Sequence, residues 1–82
     1  MIKPLGKQVL IKPLIKEQVL IGDEIKCDYG EILEIGDDCK NLKIGDIIGY
    51  EKWGLKELEY KEEMLYFILE DSDFLLCKIT NE

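Results

Sequence analysis

The stretch Gly30-Glu31-Ile32-Leu33-Glu34-Ile35-Gly36, then Asp37-Asp38-Cys39-Lys40-Asn41, then Leu42-Lys43-Ile44-Gly45-Asp46-Ile47-Ile48-Gly49-Tyr50, decides the fold. It reads as a strand, a polar turn, a tight turn and a second strand. The isoleucine-rich run between Gly30 and Gly36 is too short for an independent helix and has the residue types of a pleated sheet. Asp37, Asp38 and Asn41 are turn formers because their short side chains hydrogen-bond the nearby backbone. Gly45 can take a backbone conformation that other residues resist, and Asp46 can bond locally, so the pair launches Ile47-Ile48-Gly49-Tyr50.

The same rhythm extends toward the amino terminus. Val9-Leu10-Ile11 is a β-branched run closed by Lys12-Pro13, where proline stops or edges a strand. Val19-Leu20-Ile21 is a second short run, ended by Gly22-Asp23. All seven glycines lie in the first 54 residues and punctuate short strands, a pattern that suits an all-β barrel or sandwich. The last third reads differently. Leu55 to Glu70 has no Gly or Pro and is rich in Leu, Glu, Lys and Met, so propensity alone predicts a helix. Met64 to Leu69 is one apolar block that fits neither period. Phe74 to Ile79 predicts a buried strand, opened by the turn-prone Asp71-Ser72-Asp73.

Composition bounds the function. At 82 residues the chain is a single domain, 1–82, and a domain this small gains from oligomerisation, metals or disulfides. Eleven lysines against eighteen acidic residues, with no His, give a net charge of −7. Scattered lysines and the lack of arginine argue against nucleic acid as a partner. No apolar run approaches the ~20 residues of a membrane span, and Met1-Ile2-Lys3-Pro4 is unlike a secretory signal, so a cytoplasmic protein with no membrane partner is expected.

The chemical inventory is short. Cys27, Cys39 and Cys77 are widely spaced, and no C-x-x-C or histidine completes a metal site. Reduced thiols, no metal and no cofactor are expected. Ser72 is the only serine, there is no glycine-rich phosphate loop, and Glu62-Glu63 and Asp37-Asp38 read as solvated turns. No catalytic residues are expected, and the chain reads as a non-enzyme.

Several of these segments resemble one family, the GroES-type co-chaperonins (chaperonin-10). Ile2-Lys3-Pro4-Leu5 with Val9-Leu10-Ile11-Lys12-Pro13 is similar to the family's amino-terminal strand. Gly30 to Gly36 resembles its "GEVLAVG" strand, and Leu42 to Ile48 resembles "VKVGDVV". Tyr50 to Gly54 stands where the family has an aromatic–Lys–aromatic–Gly stretch. Glu62 to Leu69 with Asp71 to Leu75 resembles "EEYLILREEDIL". The order and approximate spacing match across nearly the whole chain.

The resemblance implies a small GroES-like β-barrel in which 63–70 and 74–79 are strands, replacing the local helix reading. It implies a lid that assists ATP-dependent protein folding on a chaperonin without chemistry of its own. The segment 14–29 corresponds to the family's mobile loop, with Val19, Leu20 and Ile21 as the apolar triplet that docks on the chaperonin apical domain. The first strand of one subunit pairs with the last strand of its neighbour, here Ile2, Lys3, Pro4 and Leu5 of the strand Met1–Leu5 against Leu75, Leu76, Cys77, Lys78 and Ile79. A homo-oligomeric ring, a heptamer, follows. The sequence departs from the family in places. Glu17-Gln18 replaces the paired glycines before the triplet, and the segment is several residues shorter. Lys7-Gln8-Val9 stands for "DRV", and the roof hairpin is reduced to Asp37-Asp38-Cys39-Lys40-Asn41. These departures leave a second reading open, a structural or assembly protein of the same fold, for example viral, that binds no chaperonin.

Overall fold

A computed structural model of the chain describes residues 2–14, 19–21 and 25–79, with side chains for 2–14 and 28–79. The strands are β1 (Gln8–Pro13), β2 (Val19–Ile21), β3 (Ile25–Ile35), β4 (Ile47–Tyr50), β5 (Lys56–Tyr60), β6 (Glu63–Leu69) and β7 (Leu75–Ile79). A 3₁₀ turn, Lys52–Gly54, lies between β4 and β5. Every pairing is antiparallel, and the order across the sheet is β5-β6-β1-β3-β4-β7, with β2 off this path against β3. Among the described residues, no helix is long and apolar enough to cross a membrane.

The sheet rolls toward closure. The Glu51 amide donates to the Phe74 carbonyl at 2.9 Å, continuing the β4–β7 ladder. Gly54, just before β5, packs so closely on the Phe74 side chain before β7 that a Cβ would not fit. Alternation along the strands turns Val9, Ile11, Ile32, Ile48, Tyr50 and Ile68 inward, with Leu42 from the connecting loop. Ile35, Leu55, Tyr66 and Leu75 pack around this cluster. Each aliphatic side chain buried this way contributes roughly 1.5–3 kcal/mol before ordering costs. A bulge keeps the pattern in phase, because Leu10 faces Glu34 but Ile11 faces Ile32. Leu33 is the extra residue and is turned outward, so both Ile11 and Ile32 stay in the core.

The all-β barrel is as expected, with differences in its elements. The segment 55–70 holds no helix; it is the β5–β6 hairpin. β3 begins at Ile25 and runs straight through Gly30, which the sequence suggests as a boundary. A Cβ on Gly30 would lie 2.9 Å from the Lys12 carbonyl oxygen, so this glycine marks a close approach of two strands. Gly45 does have a left-handed φ of 96°, and the Lys43 amide donates to the Asp46 carboxylate at 2.9 Å, which is the expected tight turn. Residues 2–5 form no strand within one copy of the chain; the pairing expected of Met1–Leu5 is with a neighbouring subunit.

Candidate partner-binding site

One end of the barrel carries a projection. β3 leaves the barrel beyond Asp28, its last residue paired with β4, and its outer part pairs with β2 in the register Val19–Cys27, Leu20–Lys26 and Ile21–Ile25. The Leu14 amide donates to the Tyr29 carbonyl at 3.0 Å and pins the root of this ribbon. The sequence-predicted triplet Val19-Leu20-Ile21 is therefore all of β2, a strand of the ribbon that takes no place in the main sheet order. Its side chains lie outside the described residues.

Beside the ribbon root is an open cleft of about 630 Å³. Tyr29 from the root, Tyr66 from β6 and Trp53 from the 3₁₀ turn give it an aromatic wall, Leu14 adds an aliphatic side chain, and Asp28 and Glu57 place carboxylates at it. Trp53 is 76% exposed. The Lys52 ammonium lies 5.3 Å over the Trp53 ring, a cation–π arrangement. Sequence reasoning gave Trp53 only a motif position and did not single out Tyr29 or Tyr66. Their convergence depends on strands far apart in the chain.

The residues expected at a subunit contact lie on two different surfaces. Ile2 lines an outer groove of about 300 Å³ with Leu10, Tyr60, Glu63 and Leu65. Lys3 donates to the Ile35 carbonyl at 2.8 Å and lies 3.4 Å from Asp37, Pro4 is buried, and Leu5 is largely exposed. Leu75, Leu76, Cys77, Lys78 and Ile79 form β7, which pairs with β4 on one side and ends the sheet on the other. Leu76 and the adjoining Phe74 are exposed. Within one chain the two segments do not pair as strands.

At the opposite end of the barrel, the short loop after β3 is held by one carboxylate. Glu70, just past β6, accepts from the backbone amides of Lys40, Asn41 and Leu42 at 2.9–3.1 Å. Burial alone would push its carboxyl up, but these three amides and the charge of Lys7 outweigh burial and hold it below its ordinary 4.5. No sequence signal marked Glu70. Cys39 in the same loop points its Sγ at the Gln8 carbonyl, 3.6 Å away, and burial raises its thiol pKa despite the Gly36 backbone contact. Cys39 and Cys77 are free thiols.

Among the described residues the chain is a small antiparallel barrel with a ribbon at one end and an open edge strand, the geometry of a module that can bind and assemble through its strands. Comparison with known proteins narrows the class. The co-chaperonin GroES of Fervidobacterium nodosum is 37% identical, over 90% of this chain and 92% of the relative. That of Kosmotoga olearia is 32% identical over 93% of each, and that of Bacteroides thetaiotaomicron is 38% identical over 90% and 93%. No family model matches the chain. On these similarities the chain belongs to the GroES co-chaperonin family.

Proposed function

We propose that the chain assembles into a ring that caps a chaperonin, assisting protein folding by binding rather than by chemistry, with Val19, Leu20 and Ile21 as the docking triplet. The observation that carries this reading is the ribbon. The apolar triplet is on a strand that pairs only with β3, among the described strands, and takes no place in the main sheet order. A short extended segment of this kind suits insertion into an apolar groove, where each aliphatic side chain contributes roughly 1.5–3 kcal/mol before ordering costs.

Assembly has its own support. The groove beside Ile2 and the open edge of β7 are different surfaces of one chain. A contact between two different surfaces is heterologous, and a heterologous contact that closes makes a ring. The ring is taken as a heptamer by resemblance to the family.

The test is Leu20→Glu, assayed for thermal unfolding and for capture by the Fervidobacterium nodosum chaperonin with ATP. The expected variant unfolds within about 4 °C of the parent, the shift that about 1 kcal/mol produces in a domain this size, and loses the chaperonin. A variant that unfolds outright makes the triplet part of the core. A parent chain that the chaperonin does not capture overturns the lid reading in favour of an assembly protein.

A further inference from the structure

The triplet cannot stand far from the barrel. β3 is one unbroken strand from Ile25 to Ile35, so the ribbon is a direct extension of a barrel strand and not a separate tether. Val19 pairs with Cys27 and Ile21 with Ile25, two and four positions beyond Tyr29. At about 3.3 Å per strand residue the triplet lies about 7–13 Å along the strand from Tyr29. Any surface that takes up the triplet therefore also reaches the end of the barrel, where Tyr29 is part of the wall of the aromatic cleft.

We propose that this cleft, lined by Leu14, Tyr29, Trp53 and Tyr66 with Asp28 and Glu57, is a second contact for the same chaperonin apical domain and takes a basic side chain from it. The inference rests on the docking role of the triplet given above. Two features fix the chemistry of the occupant. Among the described residues that line the cleft, the carboxylates Asp28 and Glu57 outnumber the one cation, Lys52, in a chain whose net charge is −7. The Lys52 ammonium lies 5.3 Å over the Trp53 ring, yet Trp53 is 76% exposed, so ring surface remains for a second cation. Ring faces and carboxylates together favour a lysine or arginine over an aliphatic side chain. The ribbon then supplies the apolar anchor, and the cleft sets how the barrel is oriented on the partner.

Trp53→Ala and Glu57→Lys test this in the full-length protein, beside Leu20→Glu, by affinity for the Fervidobacterium nodosum chaperonin with ATP at low and at physiological salt. Both side chains are exposed, so unfolding temperatures are expected to match the parent. Each variant is expected to weaken binding at least fivefold, with a smaller loss at the higher salt. Binding within twofold of the parent for Trp53→Ala, while Leu20→Glu abolishes it, overturns the second contact and leaves the ribbon reading intact. Loss with Trp53→Ala but not with Glu57→Lys makes the occupant apolar and overturns the basic side chain. A change in sedimentation of Trp53→Ala without chaperonin makes the occupant another copy of the chain, and also overturns the proposal.

Discussion

Glu70 shows how much one side chain does in a domain this small. Its carboxylate stands in for backbone partners that the loop 40–42 cannot find in the sheet, and it accepts from three successive amides. Hydrogen bonds to a charged acceptor are stronger than neutral ones, although partial exposure lowers their worth. Glu70→Gln keeps the shape and loses the charge, and is expected to cost about 1–2 kcal/mol at neutral pH. The sign with pH follows from the depressed carboxyl. Its stabilisation is full above the ordinary glutamate value of 4.5 and is lost as pH falls through the lower folded value. The parent and Glu70→Gln are therefore expected to converge in stability below pH 4.5, measured by urea unfolding at a series of pH values. A constant gap down to acid pH contradicts the charged clasp. Nothing in the sequence announced this residue, because a glutamate after an apolar run is ordinary until the fold brings the loop to it. Gly45 and Asp46 were legible for the opposite reason, since their partners are local.

Among the elements, the strands with β-branched runs were legible and the one without them was not. Val9-Leu10-Ile11, Ile32 to Ile35 and Ile47-Ile48 carry the pattern of half-buried strands, and each is one. β5 reads Lys-Glu-Leu-Glu-Tyr, every residue of it exposed, so it has helical propensity and no buried face to betray a strand. Its pairing with β6 overrides that propensity. The turn hid the hairpin too. Tyr60 pairs with Glu63, leaving a two-residue loop in which Lys61 and Glu62 have φ of 50° and 69°. Two positive φ values make a type I′ turn, which Asn-Gly favours and Lys-Glu strains. Replacing Lys61-Glu62 by Asn-Gly is expected to stabilise the chain by about 1 kcal/mol, raising the unfolding temperature by about 4–8 °C. Calorimetry checks it; an unchanged or lower midpoint means the tip does not hold that turn. The ribbon was half legible. The triplet was visible as a strand, but the continuity of β3 through Gly30, which brings it close to the barrel, was not.

For the whole molecule, the two ends of the sheet are unlike. β5 carries Lys56, Glu57 and Glu59 along its length, and charge on an edge discourages pairing with another chain. β7 has Lys78 as its one charge and exposes Leu76, with Phe74 beside it. On one surface of a monomer Leu5 is 80% exposed near its amino terminus, and on another the β7 edge lacks a partner among the described strands. An 82-residue chain has little core to spare, so covering these surfaces adds stability that folding alone does not supply. Self-association through β7 and residues 2–5 is thus expected to be strong, and the ring is expected to close at seven, as the family resemblance implies. Native mass spectrometry and sedimentation of the full-length protein are expected to give a heptamer. Leu76→Lys puts a charge on an edge position that is already solvent-exposed, so it is expected to yield folded monomers. Deleting residues 1–5 is expected to do the same from the other surface. A parent protein that sediments as a monomer at tens of micromolar, roughly where weak association already shows, contradicts the ring. A Leu76→Lys variant that still assembles moves the contact away from β7.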